Sequence, residues 1–168
     1  RPIGSALDEF HAQGIIHRDL KPDNIKIRPD GSPVILDLGI AKDTQNDSGH
    51  TRAFTAMGTT AWMAPEQVDA KNVGPAADRY ALGMIGYVLL SGQMPWNEDT
   101  TEMRVGAIKL TGELKPLSEV CPELPTGLSD VVSKMTALDP NERFESNMAF
   151  VKALEAGGIP APAQKKSS

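Results

Sequence analysis

The 168-residue sequence has almost no cysteine, no long apolar run and no excess of basic residues. Because Cys121 is the only cysteine, an intrachain disulfide is impossible, and a reducing compartment is favoured. The longest strongly apolar run, residues 81–90, is too short to cross a bilayer and predicts a buried helix instead. The formal net charge of −5 argues against a nucleic-acid partner, since nucleic acid is normally bound by a basic face.

The two ends of the sequence carry few structural signals, and no internal repeat is visible. The first ten residues, RPIGSALDEF, lack the charged, apolar and small-residue zones of a secretory signal. Residues 157–168, GGIPAPAQKKSS, are rich in glycine, proline and small polar residues and predict a flexible tail or linker. The remaining residues, 1–156, are numerous and apolar enough to bury one core and are expected to form one domain.

The spacing of apolar and turn-forming residues predicts a helix and then a β-hairpin near the start. Leu7, Phe10 and Ile15 recur at roughly helical spacing, and Gly14 is the expected stop. The β-rich runs IKI and PVIL are separated by RPDGS, whose proline, aspartate and glycine favour a turn. Residues 41–60 show no period and are predicted to be a long mobile surface segment.

The second half of the sequence predicts further helices. One covers residues 76–91, and a second is indicated around residues 128–135, where apolar side chains share one face. A last helix is expected around residues 148–154, with Ser146 as its N-terminal cap and Gly157 as its stop. The resulting pattern is mainly helical with one short hairpin.

The stretch HRDLKPDN, residues 17–24, crowds acidic, amide and basic side chains into one loop before the hairpin. A loop held against a hairpin can fix Asp19 and Asn24, while Asp37 ends the second strand. Carboxylate and amide oxygens suit Mg²⁺, which often keeps phosphate oxygens in its shell, and Asn24 and Asp37 are the predicted ligands. Asp19 is then free to accept a proton from an attacking hydroxyl, and Lys21 can offset charge on a transferring phosphoryl group.

Three motifs resemble those of a known family. HRDLKPDN fits a catalytic loop, DLG at 37–39 fits a metal-binding triplet with Leu38 in place of the usual phenylalanine, and APE at 64–66 closes an activation segment. In this order and spacing they resemble the eukaryotic-type (Hanks-type) serine/threonine protein kinases, and GTTAWMAPEQ looks most like the bacterial ones. The resemblance covers roughly residues 3–156.

The resemblance implies a function and a set of site residues. Asp19 is the implied catalytic base, Asn24 and Asp37 hold Mg²⁺, and ATP, contacted by Lys21 and Asp37, is the phosphoryl donor. Lys21, two places after the base, is typical of the serine/threonine-specific class, so the implied substrates are proteins bearing serine or threonine. MGTTAWMAPEQ looks like the substrate-docking loop, with Thr59 in the position of the threonine that helps orient the base and the lysine.

Regulation by phosphorylation is also implied by the resemblance. Arg18 directly precedes the base, and in kinases with that arginine it helps bind a phosphate on the activation segment. Thr55 lies four residues before Thr59, at the spacing of the usual regulatory threonine, and Thr51 is a second candidate. The alternative is that Thr51 and Thr55 are solvated loop threonines.

Three further residues have implied structural roles. Asp78 would bond to the backbone of the catalytic loop, and N-terminal capping of its own helix is equally open because it follows Pro75. Arg143, within LDPNERF, would form a buried pair with Glu66 of the APE triplet. Two unrelated surface charges are the alternative for this pair.

The implied fold class is α+β, mainly helical: the large (C-terminal) lobe of a kinase, with the short hairpin at the catalytic loop. Such kinases also need a small lobe with a glycine-rich phosphate loop, a lysine and a glutamate, and no G-x-G-x-x-G occurs here. We therefore expect residues 1–156 to be only the large-lobe portion of a kinase domain. The small lobe is absent, so the missing N-terminal lobe is an expected partner, and the chain alone is expected to be inactive.

Two functions stay open. The first is the catalytic domain of a serine/threonine kinase in the cytoplasm, either by itself or as the cytoplasmic part of a membrane-anchored kinase. The alternative is a truncated, non-catalytic kinase-like module that docks substrates or partners. An upstream glycine-rich loop and lysine would decide for the first. A small-molecule phosphotransferase of related fold is disfavoured by the arginine of HRD and by the APE segment.

Overall fold

The computed structural model describes residues 1–36 and 60–157 as a mainly helical domain with one β-hairpin. Within these ranges the elements are α1 (Pro2–Ala12), β1 (Ile25–Ile27), β2 (Pro33–Ile35), α2 (Pro65–Val68), α3 (Pro75–Ser91), α4 (Glu102–Thr111), α5 (Leu117–Val120), α6 (Thr126–Met135) and α7 (Asn147–Glu155). Single 3₁₀ turns occur at Pro22–Asn24 and Pro140–Glu142. The predicted combination of helices with a single hairpin is confirmed for the described residues.

The hairpin lies where the β-rich runs predicted it. β1 and β2 pair antiparallel, with Ile25 opposite Ile35. The turn is fixed by Asp30, whose Oδ1 accepts hydrogen bonds from the amide of Ser32 at 2.9 Å and from its hydroxyl at 2.6 Å. Gly31 has a φ of 82°, a conformation that glycine adopts without steric strain.

Helix α3 is the centre of the domain and is buried along most of its 17 residues. It approaches α6 closely at Gly83, where an added Cβ would lie 2.9 Å from side-chain atoms of Met135 and Thr136. A residue larger than glycine would therefore push the two helices apart. No helix in the described ranges combines the length and apolarity needed to span a bilayer.

The apolar core surrounds α3 and joins it to the other long helices. Its buried members include Leu7, Leu20, Leu82, Ile85, Tyr87, Leu117, Val132, Met135 and Phe150. A second, smaller cluster connects α2 to α3 and consists of Ala64, Ala77, Tyr80 and Met84. Burial of these side chains fixes α1, which leads into the polar loop, chiefly against α7 and β2.

Several boundaries differ from the expected ones. α1 ends at Ala12, so Ile15 does not lie on the helix, because Gly14 turns the chain with a φ of 77°. α7 begins as expected, since the hydroxyl of Ser146 accepts a hydrogen bond from the amide of Ala149 at 3.0 Å. Helix α4 was not predicted. The expected mobile segment falls almost entirely on residues 37–59, and the tail on residues 158–168, which lie outside the described residues.

Asp8 of α1 holds the beginning of α7. Its carboxylate accepts hydrogen bonds from the amide and side chain of Asn147, at 2.8 and 2.9 Å, and from the amide of Met148 at 2.9 Å. We expect Asp8→Ala to lower the free energy of unfolding by about 2–3 kcal/mol, because it leaves helix-terminal donors without their acceptor. Urea denaturation measures this change. The exposed neighbour Glu9→Ala is the control, and equal stability of both variants would contradict the expectation.

Candidate active site

The backbone of the polar loop is held by one buried carboxylate. Asp78 of α3 is 1% exposed, and its two oxygens accept hydrogen bonds from the amides of His17 and Arg18, both at 2.8 Å. Arg18 adopts a φ of 62°, a left-handed conformation that is unfavourable for a non-glycine residue and persists only when its surroundings enforce it. Asp78 therefore holds the strained turn that presents Asp19. Gly74 is the N-terminal cap residue of α3, so the capping alternative for Asp78 is not the arrangement seen.

Asp19, Lys21 and Asn24 lie together on this loop. The Lys21 ammonium is 3.5 Å from a carboxylate oxygen of Asp19, and the Asn24 amide nitrogen donates to the Asp19 carbonyl at 2.7 Å and lies 3.4 Å from its carboxylate. The side chains of Asp19 and Lys21 are 25% and 20% exposed. A carboxylate that is fixed yet reachable from solvent can accept a proton from a bound hydroxyl, and an adjacent ammonium can face a phosphate.

His17 connects this loop to the hairpin. The buried imidazole accepts a hydrogen bond from the Asp19 amide at Nδ1, 3.3 Å away. Nε2 then carries the proton and donates to the carbonyl of Leu36 at 3.1 Å. The ring therefore acts as a neutral bridge that places the end of β2 beside Asp19.

Asn24 is oriented so that it could bind a metal ion. Its amide nitrogen is turned toward Asp19, which leaves its amide oxygen to act as an acceptor. The Leu36 amide donates to the Asn24 carbonyl at 2.8 Å, which holds Leu36, the last described residue before the gap, next to Asn24. An amide oxygen is a ligand of the kind that Mg²⁺ takes, and Asn24 fits that ion. Asp37 itself lies outside the described residues.

The activation segment is only partly described. The four candidates that lie outside the described residues are Asp37, Thr51, Thr55 and Thr59. Thr60, the first described residue after this gap, is 2% exposed. The metal, regulatory and orienting roles assigned to the four candidates therefore stay predictions, as does the phosphate-binding role of Arg18.

Glu66 and Arg143 form a buried ion pair. Arg143 donates from two nitrogens to the two carboxylate oxygens of Glu66, at 2.7 and 2.9 Å. It also donates to the carbonyls of Ala76 at 2.8 Å and Ala137 at 2.9 Å. Arg143 is 4% and Glu66 7% exposed. The guanidinium therefore bonds to α2, to the start of α3 and to the segment just after α6. It connects these three parts of the domain.

Gln67 was missed by sequence reasoning. Its side-chain nitrogen donates to the carbonyl of Arg18 at 2.7 Å, and its side-chain oxygen accepts from the amide of Ala64 at 3.0 Å. It therefore ties the beginning of α2 to the strained residue before Asp19. Its place at the third position of a helix, where glutamine commonly bonds back to the capping residue, is a signal that could have revealed the bond to Ala64.

His11 is the second residue to which sequence reasoning assigned no role. Its Nε2 lies 2.8 Å from a carboxylate oxygen of Asp78, and its Nδ1 lies 3.5 Å from the amide nitrogen of Asn147. With Asn147 donating to Nδ1, Nε2 carries the proton and donates to Asp78. The Asp78 carboxylate thus receives three hydrogen bonds. Nothing in the spacing of His11 on α1 distinguished it from an ordinary helix-face histidine.

Comparison with known proteins gives a consistent assignment. The protein kinase domain family model matches residues 1–153. Among curated relatives, serine/threonine-protein kinase Pkn1 of Myxococcus xanthus is 40% identical over 157 residues, which is 91% of this chain and 22% of Pkn1. Serine/threonine-protein kinase PknA of Mycobacterium tuberculosis is 36% identical over 157 residues, 91% of this chain and 34% of PknA.

Solved structures agree with the family model. The crystal structure of the PknI kinase domain of Mycobacterium tuberculosis superposes on this chain with a TM-score of 0.65 at 25% sequence identity. The superposition covers 94% of this chain and 51% of the PknI chain. The chain therefore spans about half of a solved kinase domain and between 22% and 34% of these two curated relatives. The expected α+β fold with a partial kinase architecture is confirmed, and the chain belongs to the protein kinase domain family, with bacterial Hanks-type serine/threonine kinases among its relatives.

Proposed function

We propose that this chain is the large-lobe part of a serine/threonine protein kinase, which transfers the γ-phosphate of ATP to serine or threonine hydroxyls of proteins. The observation that carries the proposal is the geometry of the polar loop. Asp19 is fixed on a strained turn, with Lys21 3.5 Å from its carboxylate and Asn24 bonded to its carbonyl at 2.7 Å. A base, a cation and a metal ligand are the groups that phosphoryl transfer needs from this half of a kinase.

Each side chain has a separate task in the proposed reaction. Asp19 accepts the hydroxyl proton of the substrate as the oxygen attacks, and its reachable carboxylate suits that task. Lys21 faces the transferring phosphoryl group and offsets its charge, with Thr59 helping to orient both residues. Asn24 and Asp37 hold Mg²⁺, which supplies positive charge to the phosphates of ATP when bound.

The proposed substrate class rests on Lys21 and on the relatives. Lysine two places after the base is typical of serine/threonine kinases, and Pkn1 and PknA are both named serine/threonine-protein kinases. The proposed setting is the cytoplasm, either as a free kinase or as the cytoplasmic part of a membrane-anchored one, because a kinase needs MgATP and the sequence has only one cysteine.

A missing small lobe is part of the proposal. An apolar groove of about 540 Å³ runs between α1, β1, α3 and α7, with Arg1 at its edge. Along it, Ile27 and Leu89 are 66% and 80% exposed, which is unusual for such large apolar side chains. We propose that polypeptide preceding Arg1 covers this groove and contributes the lobe that binds ATP. Residues 1–156 would then be the large-lobe portion of the domain, and residues 157–168 a tail or linker.

Regulation is proposed to act through Arg18. A phosphate on Thr55, or on Thr51, would pair with its guanidinium and order the activation segment through charge-assisted hydrogen bonds. Mass spectrometry of active protein would show the modification. If both threonines were unmodified and their replacement by alanine left turnover unchanged, this part of the proposal would be wrong.

Transfer of labelled γ-phosphate from MgATP to a protein substrate tests the function. Residues 1–168 are compared with the same chain joined to its upstream sequence, and peptides with serine, threonine or tyrosine are offered to both. We expect transfer to serine and threonine by the longer protein and none by the shorter one. A longer protein that binds its substrate but transfers no phosphate would instead favour the non-catalytic docking module.

A further inference from the structure

A fully buried lysine lies outside the candidate active site. Lys109 of α4 is 1% exposed. Its ammonium donates to the carbonyl of Met63 at 2.8 Å and to the hydroxyl of Tyr80 at 3.4 Å. The ammonium also lies 4.6 Å from the ring centre of Tyr80 and 5.6 Å from that of Trp96. Two aromatic rings and two oxygens therefore surround a charge that is removed from water.

This burial is unfavourable for stability by itself. Desolvation lowers the pKa of the Lys109 ammonium to about 7, which shows how strongly the surroundings disfavour the charge. Arg143 lowers the pKa further, and Glu66 offsets part of that effect. An apolar side chain of similar length would fill the same space without a desolvation penalty. The ammonium at this position therefore has a use other than packing.

The group that Lys109 holds lies next to the catalytic loop. Met63 belongs to the segment of residues 60–64, and Trp62 and Met63 line the same small cleft as Asp19. The end of this segment is attached to the loop by Gln67, which bonds to both Ala64 and Arg18. Lys109 bonds from the side of α4 to Met63, the residue directly before Ala64. Two side chains from different helices thus fix the last two residues of the segment 60–64.

Lys109 is also connected, through the ring of Tyr80, to the buried pair of Arg143 and Glu66. The guanidinium of Arg143 lies 5.0 Å from the ring centre of Tyr80, the same ring that Lys109 contacts. Arg143 is in turn paired with Glu66. The Tyr80 ring therefore interacts with two cations, and Glu66 neutralises one of them. Lys109 is consequently held in place by α3 while it bonds to residues 60–64.

We propose that Lys109 is a positioning residue for the protein substrate: through the Met63 carbonyl it fixes residues 60–64 in the shape that receives the substrate polypeptide beside Asp19. This inference rests on the proposed kinase function. The substrate contact is made by residues 60–64, and Lys109 acts only through them. The geometry assigns the role because the ammonium donates to a main-chain carbonyl of the segment, so it acts on the shape of the backbone there.

The test compares Lys109→Met with Lys134→Met in the kinase that includes its upstream sequence. Lys134 also contacts an aromatic ring, Phe144 at 4.7 Å, but it is exposed on α6. We expect Lys109→Met to raise the KM for a serine peptide about 10-fold, the effect of losing one buried hydrogen bond. The KM for MgATP should keep its value, and the Tm should equal or exceed that of wild type. Lys134→Met should leave all three quantities unchanged.

Hydrogen exchange supplies a readout that needs no catalysis. In Lys109→Met we expect faster amide exchange confined to residues 60–64. An unchanged peptide KM, or faster exchange throughout the domain, would overturn the positioning role. Absence of any Asp19-dependent transfer by the wild-type protein would instead overturn the proposed function, so the two failures are distinguishable.

The pH dependence of stability tests whether the charge is buried as described. The pKa of Lys109 is about 7 in the folded chain and near 10.5 when unfolded. Between these values the unfolded state binds more protons, so the free energy of unfolding should rise as the pH increases from about 7 toward 10. Lys109→Met should show a smaller rise over that range in urea titrations. An identical pH profile in both proteins would mean that the ammonium is not desolvated, which would overturn the inference.

Discussion

Replacing Asp19 by asparagine is expected to lower the rate of phosphate transfer by at least about 100-fold, the usual contribution of a general base. Asparagine has nearly the same shape as aspartate but cannot accept the hydroxyl proton. The bond from Asn24 to the Asp19 carbonyl involves main-chain oxygen, so the loop should keep its conformation. The rate is measured as labelled phosphate transferred to a serine peptide by the protein that includes the upstream sequence.

Asp23→Asn is the matched control for this prediction. Asp23 lies four residues from Asp19 on the same loop, and it is exposed. Its replacement makes the same change of net charge, so any general electrostatic effect should be equal in the two variants. If both variants kept the wild-type rate, Asp19 would not be the base. If both lost it equally, the loss would come from loop charge and not from proton transfer.

The largest expected effect on stability comes from Arg143→Met. Removing one partner of a buried ion pair leaves the other charge uncompensated, which costs about 3–5 kcal/mol. Here the carboxylate of Glu66 would lose both of its donors, and the carbonyls of Ala76 and Ala137 would lose theirs. Urea denaturation of residues 1–168 measures the change.

Two further variants make this prediction specific. Arg104→Met removes an exposed arginine that lies 3.9 Å from a carboxylate oxygen of Glu113, and it should change stability by less than about 1 kcal/mol. The double variant Glu66→Gln with Arg143→Met should recover part of the loss, because neither charge of this pair is then left buried without its partner. A single variant as stable as wild type would show that the pair contributes nothing to folding.

The long helices were predictable because their buried faces consist of apolar residues. Helix α3 is apolar on nearly every side, and Ser146 bonds to the start of α7 as a serine cap commonly does. Helix α4 could not be found in the same way, since its buried residues are Val105, Gly106 and Lys109. A pattern search counts only one of these three as apolar. The physical reason is that α4 buries a charge, which the sequence does not signal.

The polar loop was also predictable. The residue that holds its backbone, Asp78, was predictable only through the family resemblance. Asp19, Lys21 and Asn24 are close in sequence, so their meeting needs only a short turn. Asp78 lies about 60 residues away from the amides that it binds, and main-chain amides carry no sequence signature. The bonds from His11 to Asp78 and from Gln67 to Arg18 depend on how α1 and α2 pack, and that packing has no local signal.

The hydrogen bonds from main-chain amides to Asp78 affect which changes the loop tolerates. The carboxylate bonds to the backbone of residues 17 and 18 and not to their side chains, so its hold on the turn does not depend on the side chain of Arg18. The side chain at position 18 can therefore be exchanged, by natural variation or by protein engineering, while Asp78 still fixes the main chain before Asp19. Exchange of Asp78 would remove both of these bonds at once, although it lies about 60 residues away along the chain.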